Sequence, residues 1–192
     1  MDIHPKTIGF DIDGVVADTM EAFIRLAADR YGVTVDSEDI TEFQVEDCLD
    51  MEQAVVDEIF GLLLEDPFAA GLQPMPCAVV VLREFAEIAP LTFITARPQR
   101  RPIEKWLEKW LGPDASAKTR LIATGEHDGK ASYIKDMGLR YFVDDRAQTC
   151  IRLCKEGIAP FVFSQPWNRG KHHLPEVENW QAIRQLCFGP HH

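Results

Sequence analysis

The chain has 192 residues, a formal net charge of −11, and hydrophobic residues at 46% of its positions. That length accommodates one α/β domain with a sizeable core and a modest insertion, and the acidic balance argues against a nucleic-acid polyanion or an anionic membrane surface as partner. The first ten residues include Asp2, His4 and Lys6, and no apolar run is long enough to span a bilayer, so the expectation is a soluble cytoplasmic protein without a secretory leader.

Short apolar runs with β-branched and aromatic residues predict strands over 7–11, 91–95, 120–123, 141–144 and 160–164. Helical spacing predicts a helix over 16–31, with Val16, Met20, Phe23, Ala27 and Tyr31 in phase, and a second over 51–64, with Val55, Ile59, Phe60 and Leu63 inward. A third, over 76–89, aligns Leu82, Phe85, Ala86 and Ala89. After Pro102, Ile103, Trp106, Leu107, Trp110 and Leu111 form one apolar stripe that Gly112 and Pro113 terminate. Two more helices are predicted over 130–137 and 147–156. Strands alternating with such helices imply right-handed crossovers and a three-layer α/β fold with a mostly parallel sheet.

About sixty residues separate the first strand from the next helix–strand unit, far more than a βα loop needs. Residues 16–72 are therefore expected to form a small helical cap over the carboxyl edge of the sheet, with 1–15 and 73–192 as the core. Between residues 36 and 66 the cap carries twelve Asp and Glu and no Lys, Arg or His. Such a run reads as a solvated acidic face, or else as a lid that repels large polyanions or favours a substrate with a cationic group.

The five cysteines are odd in number, scattered and free of any CxxC. Cys150 and Cys154, at i,i+4, read as two small buried residues on an inner helix face rather than as a metal pair. His172 and His173 adjoin Lys171 and read as solvated, and His191 and His192 read as a tail.

Four pieces carry the chemistry: Gly9-Phe10-Asp11-Ile12-Asp13-Gly14, Phe93-Ile94-Thr95-Ala96-Arg97, Gly129-Lys130, and Phe142-Val143-Asp144-Asp145-Arg146. Each lies at a predicted strand end or helix start, where ligands of open α/β sheets bind. A carboxylate attacks a phosphate dianion poorly unless a divalent cation offsets the repulsion, and Mg²⁺ takes oxygen ligands from one or two carboxylates plus the substrate. Asp11 with Asp144 or Asp145 supplies such a seat. One carboxylate then serves as nucleophile, and a second, two residues on, exchanges protons with the leaving oxygen and the hydrolytic water. Thr95, with the backbone N–H groups of Ala96 and Arg97 beside it, is placed to hold a phosphoryl oxygen, and Lys130 is placed to clamp the phosphate as a point charge. Because the cap is acidic, further positive charge must come from the core: Arg97, Arg146, and Arg100 or Arg101.

These four pieces resemble the motifs of the haloacid-dehalogenase-like hydrolase superfamily, over most of the chain. The resemblance implies a Rossmann-like parallel sheet, Mg²⁺ dependence and an aspartyl-phosphate intermediate. By it, Asp11 matches the nucleophile and Asp13 the acid/base, whose backbone carbonyl also meets the metal. Thr95, with Ala96 and Arg97, and Lys130 match the phosphate-binding groups. Asp144 and Asp145 match the acidic pair that completes the metal site, one directly and one through water, in either order. Asp13 disfavours the dehalogenating branch, and the absence of Lys between Lys6 and Lys105 disfavours the phosphonate-cleaving branch. The helical insertion, together with Trp106-Leu107-Glu108-Lys109-Trp110-Leu111-Gly112 and Gln165-Pro166-Trp167-Asn168-Arg169, is similar to the 5′(3′)-deoxyribonucleotidase-type branch and to bacterial nucleotidases. The substrate implied is a small phosphorylated metabolite, a nucleoside monophosphate, stacked against cap aromatics drawn from Phe23, Tyr31, Phe43, Phe60 and Phe68. The rivals are a phosphatase of sugar phosphates or other small esters, and a non-catalytic phosphate-binding module, against which the intact Asp11 and Asp13 weigh. A receiver domain carries its acidic pair first and its lysine last, the reverse of the order here.

Overall fold

The computed structural model describes residues 3–189; His191 and His192 lie outside them. Six strands, β1 (Ile8–Phe10), β2 (Leu91–Thr95), β3 (Thr119–Ala123), β4 (Tyr141–Asp144), β5 (Ala159–Phe163) and β6 (Glu176–Val177), form one all-parallel sheet in the order β3-β2-β1-β4-β5-β6. The chain steps outward from β1 to β3, then crosses back to β4 on the other side of β1. This reversal opens a crevice beyond the carboxyl ends of the central strands, the usual seat of a ligand in such sheets. Phe10 pairs with both Phe93 and Val143, so the residues just after β1 sit level with the ends of β2 and β4. Gly9 lets Leu139 pack close against β1, where a Cβ would stand 2.7 Å from the Leu139 methyl and 3.3 Å from the Thr92 carbonyl.

Alternation along the strands divides the core between the two sheet faces. Phe93 and Val143 join the larger cluster with Phe10, Phe85, Trp106 and Trp180, whereas Ile94 and Phe142 join Ile134, Leu139, Leu153 and Ile158 on the opposite face. Helices α3 (Ala78–Ile88), α4 (Arg100–Leu111) and α8 (Trp180–Phe188) cover the first face, and α6 (Lys130–Asp136) and α7 (Ala147–Lys155) cover the second. The predicted stripe of α4 buries Ile103, Trp106, Leu107 and Leu111. Gly112, at φ 81, ends it, and Pro113 opens the short α5 (Pro113–Ser116). No helix among the described residues is long and apolar enough to cross a membrane.

The cap consists of α1 (Thr19–Tyr31) and α2 (Gln53–Glu65), joined by two 3-10 turns, Ser37–Asp39 and Val45–Asp47. The chain enters and leaves it side by side: Ala17 bridges Pro74, Asp18 N–H donates to the Gln73 carbonyl, and Met75 N–H donates to the Val16 carbonyl. That pairing displaces the start of α1. Val16 is buried but lies outside the helix, which begins at Thr19 because Asp18 accepts from Glu21 N–H as its N-cap. The buried face of α1 is consequently Ala22, Phe23, Leu26 and Ala27, with Met20 and Tyr31 only half covered. In α2, Val56, Ile59 and Leu63 are buried, while Val55 and Phe60 are half covered. The Phe60 ring stacks on Phe23 at 5.0 Å between centroids, and Phe60 also lines a cavity.

Three further readings are corrected. Cys150 is buried, with its thiol directed to the Asp144 carbonyl, but Cys154 is exposed on α7. His173 is exposed, whereas the His172 ring is covered and its Nδ1 accepts from Leu174 N–H. Residues beyond 164, without a predicted element, form β6 and α8. The latter is capped by Asn179, whose side chain accepts from Ala182 N–H. Only Trp180 and Ile183 of α8 are fully buried, too few to mark a helical stripe.

Trp180 fastens this C-terminal helix beneath the start of the cap: its ring lies 5.1 Å from Phe10 and its Nε1–H donates to the Val15 carbonyl at 2.8 Å. Trp180→Ala is expected to cost about 3–5 kcal/mol of unfolding free energy. Urea denaturation measures it, and an unchanged midpoint would show that α8 contributes nothing to the core.

Candidate active site

Asp11 is the first residue past β1, tied to β4 by its N–H donating to the Val143 carbonyl at 2.8 Å. Its Oδ1 accepts from Ile12 N–H, and its Oδ2 lies 2.8 Å from Lys130 Nζ. Lys130, the first residue of α6, is 0% exposed, and its ammonium also donates to Asp144 Oδ2 at 2.7 Å. Asp144 ends β4, and its Oδ1 accepts from Arg146 N–H. One ammonium thus bridges two carboxylates from neighbouring strand ends.

Asp145 completes the group: Asp11, Asp144 and Asp145 each offer a carboxylate oxygen within 4.8 Å of the others. Trp167 Nε1–H donates to Asp145 Oδ2 at 3.0 Å, and Asn168 Nδ2 donates to the Asp145 carbonyl at 2.7 Å and to that of Phe163 at 2.8 Å. Gln165, in the same loop, donates from Nε2 to the Gly14 carbonyl at 2.8 Å. The loop after β5 therefore ties the acidic pair to the turn following Asp11. Gly14 holds φ 70 there, and a Cβ at that position would collide with the Asp145 carboxylate.

Asp13 pairs with a different cation. Arg97 Nε donates to its Oδ2 at 2.9 Å and Arg97 Nη2 to its Oδ1 at 2.7 Å, while the Thr19 hydroxyl donates to Oδ1 at 2.6 Å. The two carboxylates of the first motif line a common space with opposite electrostatic surroundings. Burial and the nearby Asp144 outweigh Lys130 and push the Asp11 carboxyl up to about 7. Burial also acts to raise Asp13, but the Arg97 charge and the hydrogen bonds from Arg97 and Thr19 outweigh it and hold that carboxyl below its ordinary value. Burial, then the charges of Asp144 and Asp11, push Asp145 well above the usual carboxylate range. Burial alone would lower Lys130, yet Asp11 and Asp144 hold it above its ordinary value.

Three carboxylates crowd round one ammonium, so full ionisation of the cluster would leave more negative charge than Lys130 offsets, which is why burial and their mutual repulsion hold Asp11 and Asp145 upward. Hard oxygen donors in a compact group of that charge suit a small divalent cation such as Mg²⁺. Of the Asp145 oxygens, Oδ2 accepts from Trp167, whereas both Asp144 oxygens already accept a hydrogen bond.

Above this floor lies a cavity of about 330 Å³ between core and cap. Thr95, Ala96 and Arg97 line it at the end of β2, and Thr95 Oγ1 accepts from Arg97 N–H at 3.2 Å. The cap side contributes Met20, Phe43, Val45, Val56, Phe60 and Leu63, with Glu46 and Asp57 among its acidic groups. His127 packs edge-on against Phe43, and burial followed by the charges of Lys130 and Arg146 lowers its pKa. Arg146 lies over the Phe43 ring, 5.1 Å from its centre, and does not line the cavity. Neither do Arg100, which pairs with Glu104, or the exposed Arg101. Of the expected cap aromatics, Tyr31, Phe68 and the buried Phe23 also lie outside the lining. Trp167, Asn168 and Thr19 belong to the site without having a role legible in the sequence. Likeness alone marks the Gln165–Arg169 stretch, and nothing in the spacing distinguishes Thr19 from any residue that opens a helix.

A model of the family described as 5′ nucleotidase, deoxy (pyrimidine), cytosolic type C protein (NT5C) matches residues 5–189. A comparison with curated proteins gives no match. Among solved structures, a haloacid dehalogenase-like family hydrolase from Streptococcus pneumoniae is similar at TM-score 0.60 and 14% identity, covering 92% of this chain and 95% of that one. A HAD-superfamily hydrolase of subfamily IA from Geobacter sulfurreducens is similar at TM-score 0.55 and 16% identity, covering 94% and 95%. Another from Ehrlichia chaffeensis is similar at TM-score 0.54 and 12% identity, covering 97% of each chain. The structural likeness establishes the fold, and the match over nearly the full length establishes the rest: the chain belongs to the NT5C family of haloacid-dehalogenase-like hydrolases.

Proposed function

We propose that the protein is a Mg²⁺-dependent phosphomonoesterase that works through an aspartyl-phosphate on Asp11 and acts on nucleoside monophosphates. One observation carries the reading: Lys130 bridges Asp11 and Asp144 beside Asp145, gathering three carboxylates round a single ammonium at the open end of the sheet. Asp11, Asp145 and the backbone carbonyl of Asp13 would hold the cation, with Asp144 reaching it through water. When bound, it would offset the repulsion between the Asp11 carboxylate and the phosphate dianion.

The side chains supply the remaining steps. The Thr95 hydroxyl and the Ala96 N–H, at the cavity wall, hold phosphoryl oxygens, and the ammonium of Lys130 supports them by its charge from behind Asp11. A carboxylate oxygen of Asp11 bonds to phosphorus as the bond to the leaving oxygen breaks, and Asp13 gives that oxygen a proton. Because Arg97 and Thr19 favour the carboxylate, Asp13 carries that proton only in its less populated acid form, taken up from solvent before the step, and is left in its favoured ionised form. It next takes a proton from water as the water oxygen attacks the phosphorus, the bond to Asp11 breaks, and inorganic phosphate leaves.

The family match and the cavity support a nucleoside as the leaving group. A volume of about 330 Å³ lined by Phe43, Phe60 and Trp167 suits a planar, uncharged ring. Among the described residues, Arg97 is the only Lys or Arg in the lining, and Asp13 and the cap already engage its guanidinium, which disfavours esters bearing a second anionic group. A cytoplasmic setting fits the five cysteines, all of them free thiols.

Under identical magnesium conditions, nucleoside and deoxynucleoside monophosphates are expected to be hydrolysed with kcat/KM at least about tenfold above sugar phosphates and phosphoglycolate. A preference for the sugar esters would replace the nucleotidase reading while leaving the chemistry standing. Asp11→Asn is expected to lose turnover altogether while keeping the circular dichroism of the parent. Normal hydrolysis by that variant eliminates the mechanism.

Trp167→Phe keeps an aromatic ring but removes the donor to Asp145. It is expected to weaken Mg²⁺ binding about 10–100-fold by isothermal titration calorimetry. Equal affinity would show that Asp145 needs no such support. EDTA should abolish hydrolysis and Mg²⁺ restore it; full activity in metal-free buffer contradicts the proposed site.

A further inference from the structure

Arg97 joins three parts of the molecule through one side chain and its own backbone. Its backbone N–H donates to Thr95 Oγ1 in the core. Nε and Nη2 grip both oxygens of Asp13. Nη1 donates to the carbonyl of Leu63, at 2.9 Å, in the last turn of cap helix α2. The guanidinium itself is 2% exposed, while the Asp13 carboxylate it grips faces the cavity.

The Leu63 carbonyl has a specific need for that donor. The last carbonyls of a helix lack intrahelical partners and carry the negative end of its dipole, which basic residues in the final turn ordinarily meet. Helix α2 has no basic residue in its last turn, and the cap has no Lys, Arg or His from residue 36 to 66. The core supplies the missing cation across the cavity. The same guanidinium fixes the plane of the Asp13 carboxylate. Oδ1 is occupied by Arg97 and Thr19, while Oδ2 accepts from Arg97 and keeps a lone pair for the cavity, which Asp13 lines with a side chain 31% exposed.

We propose that Arg97 is a positioning residue, a latch that makes the aim of Asp13 Oδ2 depend on the seating of α2, rather than a ligand of the phosphate. With α2 seated, Arg97 is held at both ends and the carboxylate is aligned for proton exchange at Oδ2. With α2 lifted, the guanidinium loses its fixed anchor and Asp13 loses its alignment. Catalysis is thereby confined to the closed cap. The inference rests on the phosphomonoesterase reading for its catalytic consequence, but the latch itself is a property of the free protein.

The test compares the full-length protein with Arg97→Ala and Arg97→Lys in three measurements. In hydrogen exchange, peptides from the C-terminal half of α2 should exchange at least about tenfold faster in Arg97→Ala, while peptides from β2 and β4 stay unchanged. In steady-state kinetics, kcat should fall about 100-fold with KM little altered. Inhibition by inorganic phosphate should shift by less than about threefold, because no phosphate contact is lost. Unchanged exchange in α2 overturns the latch, as does a loss of phosphate affinity of about tenfold or more, which would make Arg97 a phosphate ligand. Should Arg97→Ala fail to fold, Arg97→Lys carries the same test, since one ammonium cannot reproduce the two-oxygen grip and the Leu63 bond together. A parent protein without phosphatase activity would sink the proposed function, and the exchange measurement would still decide for or against the latch.

Discussion

Burying an ammonium is costly unless carboxylates meet it with good geometry, and Lys130 is buried completely. Its two partners come from the ends of adjacent strands, Asp11 after β1 and Asp144 at the end of β4, on either side of the place where the strand order reverses. The sheet topology puts the two carboxylates within reach, and α6 delivers the lysine from its first residue. A hydrophobic side chain of similar volume would satisfy the core at least as well. The bridge is therefore better understood as a device for chemistry, since it compensates only part of the charge that Asp11, Asp144 and Asp145 concentrate.

Asp11 and Asp13 illustrate how environment divides labour between two like residues. They are two positions apart, yet one meets Lys130 and other carboxylates while the other meets Arg97 and Thr19. Burial pushes both upward, and only Asp13 has enough donors to reverse it. Two carboxylates two residues apart thus have their protonation preferences pushed in opposite directions by their surroundings.

Most of the frame was legible because its signals are local. Strand runs, the α4 stripe and the Gly112-Pro113 stop depend on neighbours in sequence, and the four chemical motifs follow strand ends that those runs define. The length of the segment between β1 and β2 pointed to extra helices there, and α1 and α2 occupy it. What escaped depends on contacts distant in the chain. Trp167 reaches Asp145 and Arg97 reaches Leu63 across separations that no periodicity encodes. The acidic cap could be counted but not interpreted. Glu38 and Glu42 pair with Arg169 and Lys171 of the core, exposed contacts worth at most about 1 kcal/mol each, so part of that charge seats the cap. Helix α1 started later than its apolar spacing suggested because Val16 and Ala17 are consumed by pairing with the returning chain.

The most direct test of the central claim is to quench the protein in acid during turnover of a nucleoside monophosphate with Mg²⁺ and map the trapped phosphoryl group by mass spectrometry of the peptides. A single acyl phosphate on Asp11 is expected. Steady turnover with no phosphorylated peptide, or with the group on a different residue, would contradict it.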